Sequence, residues 1–144
     1  MNERSSATIE DYLSIIYLLQ RDGEPVVGAR LAELLGVTPP TVTNTLKRMA
    51  RDGLLTLEDS QGPRLTVLGI EKAASVVTRH MLTEWLLVRM LKVAWSRTHN
   101  EAHSIEHSIS EEIETQMREN LDDPQVCPHG NPLPEPASAA AATA

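Results

Sequence analysis

Residues 27–55 read VGARLAELLGVTPPTVTNTLKRMARDGLL. The spacing predicts a short helix over residues 27–35, closed by Gly36, the residue type best suited to a left-handed C-cap. Thr38 then stands where an N-cap belongs, and Pro39 and Pro40 fall in a first helical turn, where a missing N–H costs nothing. Val42, Leu46 and Met49 define one apolar stripe on the helix that follows. Two short helices joined by so tight a turn make a helix-turn-helix unit, in which the second helix can enter a DNA major groove while the first braces it.

The flanks extend that unit into a larger pattern. Upstream, residues 8–20 (TIEDYLSIIYLLQ) place Ile9, Leu13, Ile16 and Tyr17 at spacings of three and four, a helix with one apolar face and Thr8 as its candidate cap. Downstream, residues 54–58 and 64–66 read as two short strands around the turn-forming DSQGP of residues 59–63. Three helices followed by a β-hairpin is the winged-helix order. Residues 67–93 predict one long helix, whose second half, MLTEWLLVRMLKV, is apolar almost all round and needs a large partner surface such as a second subunit. Residues 100–120 predict a further helix, with Ile105, Ile109, Ile113 and Met117 at strict fours, before a Pro-rich stretch and an Ala-rich end. The fold class expected is mainly α: a winged-helix domain over residues 1–72, a helical metal-binding and dimerisation domain over 73–134, and a flexible tail over 135–144.

Composition sets the bounds. The 144 residues carry a formal charge of -7, which by itself argues against a nucleic-acid partner. The distribution matters more: residues 1–72 have a net charge of -2 and residues 73–144 of -5, while residues 39–51 hold Lys47, Arg48 and Arg51 and no acid. On that helix the outward positions are Thr38, Pro40, Thr41, Thr43, Asn44, Lys47, Arg48 and Arg51. Asn can pair with adenine, Thr and Pro can touch thymine methyls, and Lys and Arg suit phosphates. No export signal and no run long enough to span a bilayer stands in the sequence, so a cytoplasmic protein without a membrane partner is expected. The single cysteine, Cys127, reads as a bland free thiol in the Pro-rich stretch.

The histidines carry a second chemistry. His99, His103 and His107 are spaced by four with Glu106 beside them, and His80 and Glu84 form another i, i+4 pair. Imidazole with carboxylate is a donor set for Mn, Fe, Co, Ni or Zn. His103 to His107 also matches H-x-x-E-H, the pattern of one class of zinc metallopeptidase. That alternative needs an open coordination position and a substrate cleft, for which the Pro- and Ala-rich stretch after His107 leaves little room.

With EDYLSIIYLL, TPPTVTNTLKRMARDGLL, LTVLGIEKA, VVTRHMLTEWLL, NEAHSIEHSIS and CPHGNPLP in this order, residues 7–134 resemble the diphtheria toxin repressor and manganese transport regulator family. The resemblance implies a homodimeric, metal-activated transcriptional repressor that binds a palindromic double-stranded operator in response to Fe(II) or Mn(II). It implies a primary metal site of Asp11, His103, Glu106 and His107, and an ancillary site of His80, Glu84 and His99. The position of Asp11 is Met in the family's iron branch and Asp in its manganese branch, so Mn(II) is the expected activator and Fe(II) the second, with other divalent transition metals able to bind. His103 follows neither branch, being Cys in one and Glu in the other. Many iron-branch members continue into an SH3-like third domain that lends ancillary ligands, and the sequence here stops where that domain would begin.

Overall fold

The computed structural model describes residues 6–57 and 62–135. Residues 58–61, which include part of the expected wing turn over 59–63, and residues 136–144 of the expected tail lie outside them. Two compact units meet between Ala74 and Ser75.

The first unit opens with α1 (Ala7–Arg21), capped by Ser6, whose side chain accepts from the Ile9 amide; the cap is Ser6 and not the expected Thr8. Helix α2 (Gly28–Leu35) ends at Gly36 with φ 67° and ψ 34°, the left-handed cap that the sequence predicts. Helix α3 (Pro39–Arg51) starts at Thr38, whose hydroxyl accepts from the Thr41 amide, with both prolines in the first turn. The hairpin is short: β1 (Leu55–Thr56) pairs antiparallel with β2 (Arg64–Leu65), Leu55 opposite Leu65.

The core of this unit collects Tyr12, Leu13 and Ile16 of α1, Leu31 of α2, Val42, Leu46 and Met49 of α3, and Leu55 and Leu65 of the hairpin. Each large side chain so buried contributes about 1.5–3 kcal/mol. Gln20 of α1 accepts a hydrogen bond from the Leu65 amide, which fixes the hairpin to the helices at 2.9 Å. Thr66 performs two tasks: its hydroxyl donates to the Gly53 carbonyl and accepts from the Gly69 amide, so the residue that closes the hairpin also caps the next helix. At Gly69 a side chain would collide with the Leu54 carbonyl, so glycine is what lets helix and hairpin approach.

Helix α4 (Val67–Arg89) runs from the first unit into the second and ends four residues before the expected Val93. The second unit then contains a 3-10 turn (Trp95–Arg97), α5 (Thr98–Ile105), a second 3-10 turn (Glu106–Ser108) and α6 (Glu111–Asn120). The single helix expected over residues 100–120 is therefore broken. Two interactions make the break. Ser110 caps α6 by accepting from the Ile113 amide, while the buried Arg79 guanidinium donates to the carbonyls of Glu106 and Ile109. Those carbonyls would otherwise have served the next helical turn, and a cation is the partner that a helix C-terminus favours. Leu82, Met117 and Leu121 form the apolar centre here, with Trp85, Leu86, Ile109 and Leu133 packed against it.

After α6 the chain folds into a tight turn, with Val126 bridged to Pro132, the Cys127 amide donating to the Asn131 carbonyl, and the Gly130 amide donating to the Cys127 carbonyl. Gly130 has φ 88°, which suits glycine.

Candidate metal centre and nucleic-acid interface

Four of the five histidines belong to two neighbouring groups in the second unit. In the first group, His103 Nδ1 lies 2.7 Å from Glu106 Oε1, and His107 Nε2 lies 3.6 Å from the same oxygen. The two imidazole rings stand edge to face at 5.6 Å. The break after α5 places Glu106 and His107 on the 3-10 turn, so the three side chains converge through the turn rather than along one straight helical flank. Glu106 is buried and His103 is exposed. Asp11 is half-buried on α1 of the first unit.

The second group is His80, Glu84 and His99, with one ligand atom from each lying within 4.8 Å of the others. His80 Nε2 is 3.1 Å from Glu84 Oε1 and 3.1 Å from His99 Nδ1. His99 therefore joins α4 and not the two histidines that share its spacing in sequence. Its pKa is lowered, first by burial and then by the neighbouring His80. His80 also reaches the first group, because its Nδ1 lies 2.6 Å from Glu106 Oε2. Burial is the largest single influence on His80 and pushes its pKa down; hydrogen bonds and charge from Glu106 and Glu84 together outweigh it and raise the value from 6.5 to about 9. That raised value favours the protonated imidazole at neutral pH. A ring that offers one nitrogen to a ligand position and the other to a carboxylate is the arrangement that orients metal-binding histidines.

A third set was not legible in the sequence. Glu84, Cys127 and His129 also bring ligand atoms within 4.8 Å of one another. The only local signal is the C-P-H-G turn, which cannot reveal that Glu84 lies opposite. The residues of all three sets are imidazole, carboxylate and thiolate donors, which fit first-row divalent ions such as Mn(II), Fe(II) or Zn(II).

In the first unit, Thr38, Pro40, Thr41, Thr43, Asn44, Lys47, Arg48 and Arg51 are all exposed, while Val42, Thr45, Leu46 and Met49 face the core. Asn44, Lys47, Arg48 and Arg51, with Thr45, line one open groove. Arg51 Nε approaches Asp52 only to 3.9 Å, between two exposed side chains, a contact worth little that leaves the guanidinium available to a phosphate. Thr38 and Thr43 spend part of their hydrogen-bonding capacity locally, the first on the cap and the second on the Pro39 carbonyl.

A winged helix with a basic outward helix is joined here to a helical unit that groups imidazole and carboxylate side chains. The chain belongs to the iron-dependent repressor family: the N-terminal DNA-binding domain of that family matches residues 5–62, and its metal-binding and dimerisation domain matches residues 66–135. It is 40% identical over 134 residues to the iron-dependent repressor IdeR of Mycobacterium tuberculosis, covering 93% of this chain and 58% of that protein. It is 39% identical over 127 residues to the diphtheria toxin repressor of Corynebacterium jeikeium, covering 88% of this chain and 53% of that one. Among solved structures, a manganese-dependent transcriptional repressor in complex with manganese superposes with a TM-score of 0.81 at 34% identity, covering 88% of this chain and 58% of that one. The manganese regulator SloR gives 0.79 at 32%, covering 88% and 59%. The chain thus spans a little over half the length of these relatives. The family and these relatives are transcriptional repressors and regulators, not enzymes, and nothing supports the metallopeptidase alternative. Among the described residues, no helix is long and apolar enough to cross a membrane.

Proposed function

We propose that this chain is a metal-activated transcriptional repressor that works as a homodimer in the cytoplasm and binds a palindromic duplex operator when Mn(II), or second to it Fe(II), is bound. The observation that carries the reading is the grouping of His103, at the end of α5, with Glu106 and His107 on the turn that follows, in a chain whose other unit presents a basic helix.

His103, Glu106 and His107 are the primary ligands in this reading, with Asp11 as the fourth, and His80, Glu84 and His99 are the ancillary set. A bound divalent ion supplies a strong local positive charge and a fixed coordination geometry. Glu106 holds His103 and His80 in place through its two oxygens, so the two sets are oriented together. If Asp11 ligates the same ion, α1 is tied to the dimerisation unit, and the presentation of α3 to DNA is selected among existing conformations. The ion must bind the DNA-competent state more tightly, or no population shifts. Thr41, Asn44, Lys47, Arg48 and Arg51 then meet bases and phosphates. The two recognition helices of a two-fold dimer address half-sites about 34 Å or a multiple apart.

Asp11 supports Mn(II) over Fe(II), because a hard carboxylate stands where the iron branch has a thioether; His103 adds a borderline nitrogen that keeps Fe(II) second. Anaerobic DNA-binding titrations of chelator-stripped protein with each metal test this. Mn(II) should restore binding at lower concentration than Fe(II), Zn(II) should bind at least as tightly and activate less, and Asp11→Met should move activation towards Fe(II). Activation of the parent by Fe(II) and not Mn(II) would overturn the assignment.

A further inference from the structure

A helix running straight through Ser110 would pair the Glu106 carbonyl with the Ser110 amide and the Ile109 carbonyl with the Ile113 amide. The structure redirects both. The Ile113 amide donates instead to the Ser110 hydroxyl at 3.2 Å. The Glu106 carbonyl accepts from the Ile109 amide at 3.3 Å, and a single nitrogen of Arg79, Nη1, donates to the carbonyls of Glu106 at 3.2 Å and Ile109 at 3.4 Å. Both carbonyls and the Ile113 amide are therefore satisfied across the break.

Arg79 is itself fixed to α4. Its Nε donates to the Ser75 carbonyl one turn earlier at 3.4 Å, and the Arg79 carbonyl accepts from the Thr83 hydroxyl at 2.7 Å. Its neighbour His80 meets Glu106 Oε2 at 2.6 Å, so adjacent residues of α4 grip the backbone of the turn and the carboxylate that the turn presents. The side chain of Arg79 is buried, and a guanidinium is taken out of water at a cost that only matched acceptors offset. What the grip preserves is a winding. A 3-10 turn advances about 120° and 2.0 Å per residue, against about 100° and 1.5 Å for an α-helix. Over the two steps from Ile105 to His107 the difference amounts to about 40° and 1 Å, whereas metal–ligand distances are held to about 0.2 Å.

We propose that Arg79 is a positioning residue for the primary metal ligands: by holding the Glu106 and Ile109 carbonyls, it keeps the helix broken at the winding that sets Glu106 and His107 against His103. The proposal deepens the repressor reading and rests on it for the role of those three side chains. The opposing force lies in the sequence, because Ile105, Ile109, Ile113 and Met117 at strict fours favour one continuous helix. Without the clamp that local preference competes with the break. Arg79 thus acts on metal affinity through the backbone, with no ligand atom of its own in the site. An ammonium on a shorter stem does not replace it, since three carbonyls are served at once by the planar fork.

The test uses the chelator-stripped full chain and two variants, one on each side of the break. In the absence of metal, the Cα chemical shifts of the parent should show extended backbone at Ile109, where φ is -76° and ψ is 120°. Arg79→Met should move the shifts of residues 106–110 towards helical values. Ser110→Ala, which removes the exposed cap and leaves Arg79 in place, should move them in the same direction. Mn(II) titrations followed by electron paramagnetic resonance of the free ion should then show one equivalent weakened by about tenfold or more in Arg79→Met, the loss expected of an outer-shell partner, with a smaller loss of the same equivalent in Ser110→Ala. A folded Arg79→Met protein with parent-like affinity overturns the proposal. So does weakened binding with an unchanged break, or an equal weakening of every equivalent. If circular dichroism shows Arg79→Met unfolded, Ser110→Ala decides alone, and parent-like shifts and affinity in that variant overturn the proposal. His107→Ala tests the underlying reading separately, because it should abolish the same equivalent whatever Arg79 does; full retention of that equivalent would mean that the ligand assignment, and not the clamp, has failed.

Discussion

Glu106→Gln removes one negative charge and leaves the side chain nearly the same size, so it isolates what that charge does to His80. His80 Nδ1 sits 2.6 Å from Glu106 Oε2, and Glu106 is the stronger of the two acids that raise the His80 pKa to about 9. Raising an imidazole from 6.5 to that value corresponds to about 3 kcal/mol of preference for its protonated form in the folded state. Without the Glu106 charge, burial still pushes the pKa down and only Glu84 opposes it, so the variant should lose the larger part of that preference. Because the folded pKa lies above the unfolded one, the stabilisation is complete below about pH 6.5 and is lost as the pH rises through about 9. Two assays read this out. Imidazole resonances of the apo protein followed by NMR should show His80 titrating near 9 in the parent and back towards 6.5 in the variant. Urea unfolding should show the parent losing His80-linked stability between about pH 6.5 and pH 9, with a flatter dependence for Glu106→Gln. A variant whose His80 still titrates near 9 would refute the reasoning.

Further consequences follow from other parts of the molecule. Lys47→Ala and Arg51→Ala should each weaken DNA binding across all sequences and lower the log-salt slope by about 1, whereas Asn44→Ala should relax preference at particular base pairs; anisotropy titrations at several salt concentrations separate the two behaviours. Gly69→Ala should destabilise by about 1–3 kcal/mol because the added methyl meets the Leu54 carbonyl and the Leu65 side chain, while Gly28→Ala, with open space around it, should be neutral or stabilising by urea unfolding. Metal binding at His80 should release a proton at neutral pH, so apparent affinity should climb as the pH rises towards about 9; calorimetry in buffers of different ionisation enthalpy measures the release.

Legibility in the sequence followed the range of the interactions. The Gly36 cap, the Thr38 cap with its two prolines, and the Val42, Leu46 and Met49 stripe are local rules, and the structure keeps all three. The break in residues 100–120 was hidden because Ile105, Ile109, Ile113 and Met117 continue the helical spacing straight through Ser110. The exposure of Ile105 (38%) and Ile113 (48%) shows that this stripe is not one buried face. The decisive groups were Arg79, distant in sequence, and the Ser110 hydroxyl, whose capping role periodicity does not reveal. The pairing of His99 with His80 did not follow from its spacing to His103 and His107, and it entered only through the family resemblance. Cys127 and His129 lie more than forty residues from Glu84, so only the folded chain brings the three together.

In the proposed function, metal occupancy in the second unit controls DNA binding by the first. Its most direct test is fluorescence anisotropy of duplexes selected from a random-sequence pool, with chelator-stripped parent and His107→Ala protein, each measured with and without Mn(II). The parent should bind DNA tightly only with Mn(II), and His107→Ala, still a folded dimer, should gain nothing from the metal. Equal binding by the parent in the presence and absence of metal would contradict it.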